Sequence, residues 1–332
     1  MIENKIEVNM ILAGDIGGTK TLLGLFDAAP VRPRSIAVQS FSTLDYDDLP
    51  SMIAAFLDAH EGARHAIDRA CFGVAGPVID EAATLTNVPW RVDARVVASA
   101  FTIGRMFLLN DLEAMAWSVP VLHESEVRVL QEGIALRGGN IALIAAGTGL
   151  GQAMLHWVDG RFIPSPSEGG HADFAARTDR EVAMMRELTA RYGRAEVEHV
   201  VSGRGLINVY QVVHHQHPCR GSIDLESHDA AAAISHAALD RTCECCVETL
   251  DLFVEAYGAE AGNVALRTVA TGGVFIGGGI APKILPALTA GAFMRAFVAK
   301  PPLEAMLKTM PVKIILNPDA ALLGAAVFAA GR

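Results

Sequence analysis

Two stretches of the chain repeat one pattern of an apolar strand, a glycine-rich turn and a return strand. Residues 10–13 and 21–26 flank the first turn, which is rich in Gly, Asp and Thr. Residues 141–146 and 152–157 flank a second turn of Gly and Thr, about 130 residues later. A pattern repeated at this distance predicts a duplicated α/β unit, with the two turns facing one another.

The remaining pattern alternates strands and helices. Short apolar runs predict strands at 35–41, 70–74, 105–109, 270–280 (between two glycine clusters) and 311–316. Apolar residues at three- and four-residue spacing, with their caps, predict helices at 46–60, after Asp93, from Leu112, through much of 179–257, directly after residue 280 and at 319–330. Strands and helices that alternate in this way indicate an α/β protein.

One junction carries polar residues at the place where a buried strand ends. Residues 107–109 are apolar, and a helix is predicted from Leu112, so Asn110 and Asp111 lie between them. Ligands of open α/β sheets bind at this edge, and a carboxylate there can accept a proton from a substrate. Both residue types also cap helices well, and the stretch by itself favours a cap.

Composition narrows the classes of function. The 332 residues are enough for two domains. They carry 27 basic and 37 acidic side chains, and this net charge of −10 argues against a nucleic-acid partner but not against a phosphorylated ligand. The polar start lacks a signal-peptide pattern, no apolar run is long enough to span a membrane, and the five cysteines indicate thiols. We therefore expect a soluble, cytoplasmic protein.

Three glycine-rich turns end apolar strands, at 14–19, 147–151 and 277–279. Consecutive glycines let backbone N–H groups converge on an anion, although all three can equally be structural turns. Asp15 would repel a phosphate beside it unless it faces a magnesium ion that also binds the phosphates. Two such turns, an acidic residue at the crevice of each half and the absence of the Walker pattern together predict a nucleotide bound between two similar domains.

These turns resemble the motifs of a known superfamily. Residues 14–20 and 147–151 resemble the first and second phosphate loops of the actin-like, hexokinase-type ATPases, and 277–280 resembles their adenosine segment. Residues 109–111, 167–174, 198–203 and 271–276 resemble motifs of the bacterial ATP-dependent glucokinase family. The resemblance runs from Met10 to about Ala330, with at least six motifs in the family's order.

The resemblance implies an architecture and a set of site residues. It implies two actin-like (ribonuclease H-like) domains with mixed sheets and a cleft between them, at 1–121 with 317–332 and at 122–316. It implies that Asp111 is the general base and that glucose is bound by Asn110, Asp111, Glu168, His171, Glu198 and Asn87. It implies that ATP is bound by Asp15, Gly17, Gly18, Thr19, Gly147, Thr148, Gly149, Gly278 and Gly279, with Asp15 holding Mg²⁺ through water. A homodimer is also implied.

Some of these assignments rest on the resemblance alone. Without it, His171 is an ordinary turn histidine and Glu198 a helical surface acid. Lys20 departs from the family, whose close members often have Asn there, so we leave it out of the site. Cys243, Cys245 and Cys246 lack the glycines of the zinc-binding run found in other relatives. We read them as structural, and we read the cluster of His214, His215, His217 and Cys219 as the polar end of a helix. We expect no metal other than magnesium.

The resemblance implies transfer of the γ-phosphoryl group of ATP to the 6-hydroxyl group of glucose. A kinase for another hexose (mannose, fructose or an N-acetylhexosamine) shares every catalytic residue and stays open, as does a phosphoryl donor such as polyphosphate. A sugar sensor on this fold normally carries a DNA-binding domain, for which the nine residues before the first strand leave no room. A chaperone ATPase would not need the sugar-side motifs.

Overall fold

The computed structural model describes residues 10–60, 62, 64, 66–85, 88–219 and 223–332. The strands in these residues are β1 (Met10–Ile16), β2 (Lys20–Asp27), β3 (Arg34–Ser42), β4 (Ile67–Val74), β5 (Val78–Ile79), β6 (Ala82–Thr84), β7 (Arg91–Asp93), β8 (Arg105–Asn110), β9 (Val127–Gln131), β10 (Ile141–Ala146), β11 (Leu150–Val158), β12 (Arg161–Ser167), β13 (Gly273–Gly277) and β14 (Val312–Ile315). The α-helices are α1 (Leu49–Asp58), α2 (Ala94–Phe101), α3 (Asp111–Ser118), α4 (Asp179–Tyr192), α5 (Gly203–Gln216), α6 (Ala230–Leu239), α7 (Glu244–Thr268), α8 (Leu285–Thr289), α9 (Ala292–Val298), α10 (Glu304–Thr309) and α11 (Ala320–Ala330).

The described residues form two compact units. The first lies within Met1–His123 and Asn317–Arg332, and the second within Glu124–Leu316. None of the described helices has the length and apolar character needed to cross a membrane.

Both units contain a sheet of the same topology. In the first unit the strand order is β3-β2-β1-β4-β8, in which β2 runs antiparallel to both β3 and β1, while β1, β4 and β8 run parallel to one another. In the second unit the order β12-β11-β10-β13-β14 repeats these directions, and β9 is added antiparallel at the edge. The repeated hairpin in the sequence therefore reflects a repeated sheet. A small sheet of β5, β6 and β7 also belongs to the first unit.

Helix ends follow local signals. The helix predicted from residue 46 begins at Leu49, because the Asp48 carboxylate accepts a hydrogen bond of 2.8 Å from the Ser51 N–H and Pro50 occupies the first turn. Asp93 caps α2 as predicted, accepting from the Arg95 N–H.

Three features differ from the sequence expectation. The apolar pattern of residues 230–252 is divided between α6 and α7, with Arg241 at a positive φ of 54° in the connection. The mixed and proline-containing sequences of β9 and β12 gave no strand signal, and edge positions explain this because one side of each strand lacks a sheet neighbour. The helix predicted directly after the third glycine cluster is the short α8, which begins only at Leu285.

Buried helices complete each core. The 25-residue α7 packs beside β10 and α9 in the second unit and buries Phe253 and Tyr257 completely. In the first unit α11 packs on α3, where a Cβ atom at Gly324 would overlap the carbonyl oxygen of Ala114. Only glycine allows this close helix contact.

We predict that Gly324→Ala destabilises the protein by about 1–3 kcal/mol, because the added methyl group forces α11 away from α3. The sign is diagnostic, since Gly to Ala within a helix ordinarily stabilises by about 1 kcal/mol. Chemical denaturation measures the change. Gly331→Ala, directly after the same helix and with only ordinary van der Waals contacts of 3.7 Å for its Cβ atom, is the control and shifts stability by less than about 0.5 kcal/mol. Stabilisation by Gly324→Ala would contradict this packing.

Candidate active site

The first glycine-rich turn connects β1 to β2 and is held by a buried threonine. The Gly17 N–H donates to the Lys20 carbonyl oxygen at 3.0 Å. Thr43 donates its N–H to the Thr19 carbonyl at 3.0 Å and its hydroxyl to the Gly17 carbonyl at 2.9 Å. The Thr43 hydroxyl also lies 2.9 Å from that of Thr21, and both side chains are fully buried. These bonds hold the turn on its buried side. No sequence signal indicated Thr43.

The parallel strands bring Asp15 and Asp111 to one edge of the first sheet. Asp15 lies beside Gly73 on β4, which lies beside Leu109 on β8. A Cβ atom at Gly73 would lie 2.9 Å from the Ala114 side chain and 3.6 Å from the Asp111 Cα. The missing side chain therefore lets the start of α3 rest on β4, so Asp111 stands at the carboxyl edge two strands from Asp15.

Asn110 caps α3, as the local sequence favoured. Its side-chain oxygen accepts from the Leu112 N–H at 3.0 Å, and its side-chain nitrogen donates to the Gly76 carbonyl at 3.4 Å. One Asp111 carboxylate oxygen accepts from the same Leu112 N–H at 2.8 Å. The positive end of the helix thus orients both side chains.

A third carboxylate, Asp319, joins this edge from the start of α11. The pKa of Asp15 is raised from its ordinary 3.8 to about 7, first by burial and then by the charges of Asp111 and Asp319, against the opposing effect of Lys20. Carboxylate oxygens are the ligands that Mg²⁺ prefers, and a cation would relieve this repulsion, so the residues fit a magnesium site. The sequence indicated Asp319 only as the start of a helix.

The second glycine-rich turn, in the second unit, is held by α5 and by Glu198. The Gly147 N–H donates to the Gly149 carbonyl, and the Gly203 N–H donates to the Gly147 carbonyl, both at 2.8 Å. A Glu198 carboxylate oxygen accepts from the Leu150 N–H at 2.7 Å and would lie only 2.5 Å from a Cβ atom at Gly149. Glu198 therefore supports the turn, and only glycine at 149 leaves it room.

The third glycine cluster lies directly against the end of β10. Gly278 has a φ of +83°, and a Cβ atom there would overlap the backbone of Ala146. The Ile280 N–H donates to the Ala146 carbonyl at 3.2 Å. The buried Tyr257 hydroxyl accepts from the Ala146 N–H at 3.2 Å and lies 3.3 Å from the Gly277 carbonyl. Tyr257, which the sequence did not indicate, thus ties the second and third turns together.

A cavity of about 380 Å³ opens beside the second turn, and its size suits a small-molecule ligand. The start of α5, whose N–H groups favour a bound anion, forms one wall, and residues of α6 and the segment after the third glycine cluster form the others. Its lining combines apolar side chains with the cations of Arg204 and Lys283, neither of which the sequence singled out.

Glu168 and His171 occupy the two ends of one turn that follows β12. The His171 N–H donates to the Glu168 carbonyl at 3.0 Å, and residues Gly169–His171 form a 3₁₀ helix. A Cβ atom at Gly170 would overlap the Leu150 carbonyl. The two glycines therefore let this turn lie against the strand that leaves the second glycine-rich turn.

A further carboxylate, Glu196, joins His171 and Glu198. One ligand atom from each of these three residues lies within 4.8 Å of the others. The carboxylates already accept hydrogen bonds, Glu198 from the Leu150 N–H and Glu196 from Arg194. We therefore interpret the group as a hydrogen-bonded network. No sequence signal indicated Glu196, although it stands two residues before Glu198.

Each predicted site residue has a definite place except one. The first unit holds Asp15, Gly17, Gly18, Thr19, Asn110 and Asp111. The second unit holds Gly147, Thr148, Gly149, Glu168, His171, Glu198, Gly278 and Gly279. Thr19, Thr148 and Gly279 are exposed, as residues that touch a ligand must be in its absence. Asn87 lies outside the described residues.

Comparison with known proteins identifies relatives across the whole chain. The family model described as Glucokinase matches residues 12–332. A protein named Glucokinase from Synechocystis sp. is 38% identical over 345 residues, covering 96% of this chain and 97% of its own. The crystal structure of glucokinase from an Antarctic psychrotroph has a TM-score of 0.87 at 30% identity, covering 98% of this chain and 99% of its own.

A more distant structure shares the fold. A ROK family glucokinase from Streptomyces griseus, in complex with glucose and AMPPNP, has a TM-score of 0.64 at 20% identity and covers 98% of this chain and 100% of its own. The expected actin-like α/β fold is therefore confirmed.

We predict that Asp15→Asn stabilises the protein when magnesium and nucleotide are absent. Below about pH 4 the Asp15 carboxyl group is protonated in both the folded and the unfolded wild-type chain, so wild type and Asp15→Asn are equally stable. Between there and about pH 7 the unfolded wild type releases its proton while the folded one retains it, so wild-type stability falls as the pH rises. At pH 8 the variant is more stable by a few kcal/mol, at most about 4.

Urea unfolding in EDTA from pH 4 to pH 8 measures this difference. Asp27→Asn, at the exposed end of β2, is the control and shifts stability by less than about 0.5 kcal/mol. A constant difference between wild type and Asp15→Asn across this range would contradict the raised pKa.

Proposed function

The chain belongs to the glucokinase family, and we propose that it transfers the γ-phosphoryl group of ATP to the 6-hydroxyl group of glucose. The observation that carries this proposal is the convergence of Asp15, Asp111 and Asp319 at one sheet edge, within a chain that matches the family from residue 12 to residue 332. A base and a cation-binding carboxylate are the two acidic groups that phosphoryl transfer to an alcohol requires.

Asp111 is the general base in this proposal. Its carboxylate accepts the proton of the 6-hydroxyl group while the hydroxyl oxygen bonds to the γ-phosphorus and the bond to the bridging β–γ oxygen breaks. The products are glucose 6-phosphate and ADP. The Leu112 N–H, 2.8 Å from one carboxylate oxygen, fixes the direction in which Asp111 presents its charge, and such positioning is what catalysis of this transfer mainly needs.

The glycine-rich turns hold the nucleotide. In this proposal the backbone N–H groups of Gly18, Thr148 and Gly149, with the hydroxyl groups of Thr19 and Thr148, bind the phosphates. Gly17, whose N–H donates to the Lys20 carbonyl, shapes the first turn around them. The cavity between the second turn and α6 accepts the adenosine, with Gly278 and Gly279 in contact with it. Asp15 holds Mg²⁺ through water, and that ion supplies charge stabilisation for the phosphoryl oxygens.

Four polar or charged side chains contact the hexose in this proposal. Asn110 offers its amide group, and Glu168, His171 and Glu198 offer a carboxylate, an imidazole and a second carboxylate. Sugar hydroxyl groups both donate and accept, so this mixture of donors and acceptors matches them. Because the Glu198 carboxylate also supports the second turn through Leu150, sugar binding and the phosphate loop share a residue.

A coupled assay with Mg-ATP and glucose, mannose, fructose, N-acetylglucosamine or no sugar tests the proposal. We expect turnover with glucose to exceed that with the other sugars. Preference for another hexose would retain the kinase mechanism and replace the substrate. Absence of turnover with every sugar, together with a glucose-dependent rise in melting temperature, would instead indicate a sugar sensor. Polyphosphate in place of ATP tests the donor, and we expect no turnover with it.

We predict that Asp111→Asn lowers kcat by about 10²–10⁴-fold, the range expected for loss of a general base. The amide is nearly isosteric and retains an oxygen for the Leu112 N–H, so the melting temperature stays within about 3 °C of wild type. Glu113→Gln, the same chemical change two residues further along α3, is the control and leaves kcat unchanged. Near-normal turnover of Asp111→Asn would exclude it as the base.

A further inference from the structure

Glu196 occupies the centre of a network around His171. Its side chain is only 12% exposed, although it carries a charge. One carboxylate oxygen lies 3.1 Å from Nδ1 of His171 and 3.4 Å from Nε2 of His199, and the other accepts from Arg194 at 2.8 Å. A carboxylate with this many donors is held in one orientation, and it holds its partners in turn.

The backbone brings Glu196 and His171 together from segments 25 residues apart. Asp173 and Glu196 form an isolated antiparallel bridge, flanked by a bond from the Phe174 N–H to the Ala195 carbonyl at 3.0 Å. The Val197 N–H donates to the carbonyl of Ala172, also at 3.0 Å. This pairing sets the carboxylate beside the imidazole independently of any ligand.

Arg194 completes the arrangement around residue 171. Its guanidinium donates to the His171 backbone carbonyl at 2.7 Å and to the Asp173 carboxylate at 3.0 Å, besides its bond to Glu196. His171 is thus held at its carbonyl by Arg194 and at its ring by Glu196. Its side chain is nevertheless 52% exposed, so the ring is restrained but remains accessible to a ligand.

We propose that Glu196 is a positioning residue for hexose binding: its carboxylate accepts from Nδ1–H of His171 and thereby presents Nε2 to a sugar hydroxyl group. The inference rests on the proposed function, because it assumes that His171 contacts the hexose. An imidazole has two nitrogens, and the bond made by one determines which tautomer the other presents. Carboxylate–histidine pairs orient metal-binding histidines in the same way.

The charges around His171 agree with this role. The hydrogen bond that His171 donates to Glu196 is the largest cause of its raised pKa, and the charges of Glu198 and Glu168 raise the pKa further, against the effect of burial. Arg194, which contacts both Glu196 and the His171 carbonyl, is the cation that faces the pair. Removal of the Glu196 charge therefore lowers the pKa of His171, so the imidazole loses its proton at a lower pH.

Glu196→Gln tests the proposal, because it keeps the shape of the side chain and removes its charge. We expect the glucose KM to rise about tenfold, the effect of weakening one charge-assisted hydrogen bond, with kcat and the ATP KM within twofold of wild type. In a His171→Ala background the same substitution leaves the glucose KM unchanged, because the residue that Glu196 positions is absent. Glu196→Asp keeps the charge and gives a smaller rise.

Glu187→Gln is the matched control, since Glu187 also contacts a histidine and an arginine, His215 at 3.4 Å and Arg191 at 3.9 Å. It leaves the glucose KM unchanged. An unchanged glucose KM in Glu196→Gln, or an equal rise with and without His171, would overturn the proposal. If Glu196→Gln does not fold, Glu196→Asp takes its place. Its smaller rise in glucose KM must then disappear in the His171→Ala background, and a rise that persists there would overturn the proposal.

An NMR titration of the His171 ring, in wild type and Glu196→Gln without substrates, separates this inference from the proposed function. If the wild-type chain phosphorylates no hexose, the proposed function fails, and the titration then decides whether the pair exists. A lower His171 pKa in the variant supports the pair, and an unchanged pKa overturns it.

Discussion

The parallel register of β1, β4 and β8 is the constraint on which the rest of the site depends. Backbone hydrogen bonds set Asp15, Gly73 and Leu109 side by side, so the chain leaving β8 delivers Asp111 to the edge where Asp15 already lies. Carboxyl ends of parallel strands share an edge, and this is where α/β proteins bind ligands. In the second unit β10 and β13 apply the same rule, and the second and third glycine-rich turns adjoin there.

This geometry buries the carboxyl group of Asp15 and places like charges near it, and both effects raise its pKa, burial the more. A protein selected for stability alone would separate these carboxylates or replace one by an amide. Burial of the apolar cores stabilises the fold enough to offset this repulsion, and a magnesium ion with its nucleotide would remove it. The same groups that oppose folding of the ligand-free chain are therefore those that would favour binding.

In the second unit, glycines and hydrogen-bonded carboxylates share the work of positioning. Gly149 and Gly170 leave space for Glu198 and for the Leu150 carbonyl, so the second glycine-rich turn and the turn of residues 168–171 lie close together. Glu198 bonds to one and Glu196 to the other. A substitution at this junction would displace both turns, because the interior is closely packed and has no space into which a side chain can move.

The sequence by itself determined the features that depend on neighbouring residues. Apolar periodicity and turn glycines predicted both hairpins, and the Asn110–Asp111 junction predicted a helix cap, because each signal lies within a few residues. Its motifs also placed the chain in its family. Only the tertiary structure decided which distant groups meet: Thr43 beneath the first turn, Asp319 beside Asp15, Tyr257 between two turns and Glu196 beside His171. Those contacts arise from strand pairing and helix packing across tens to hundreds of residues, and no local pattern records them.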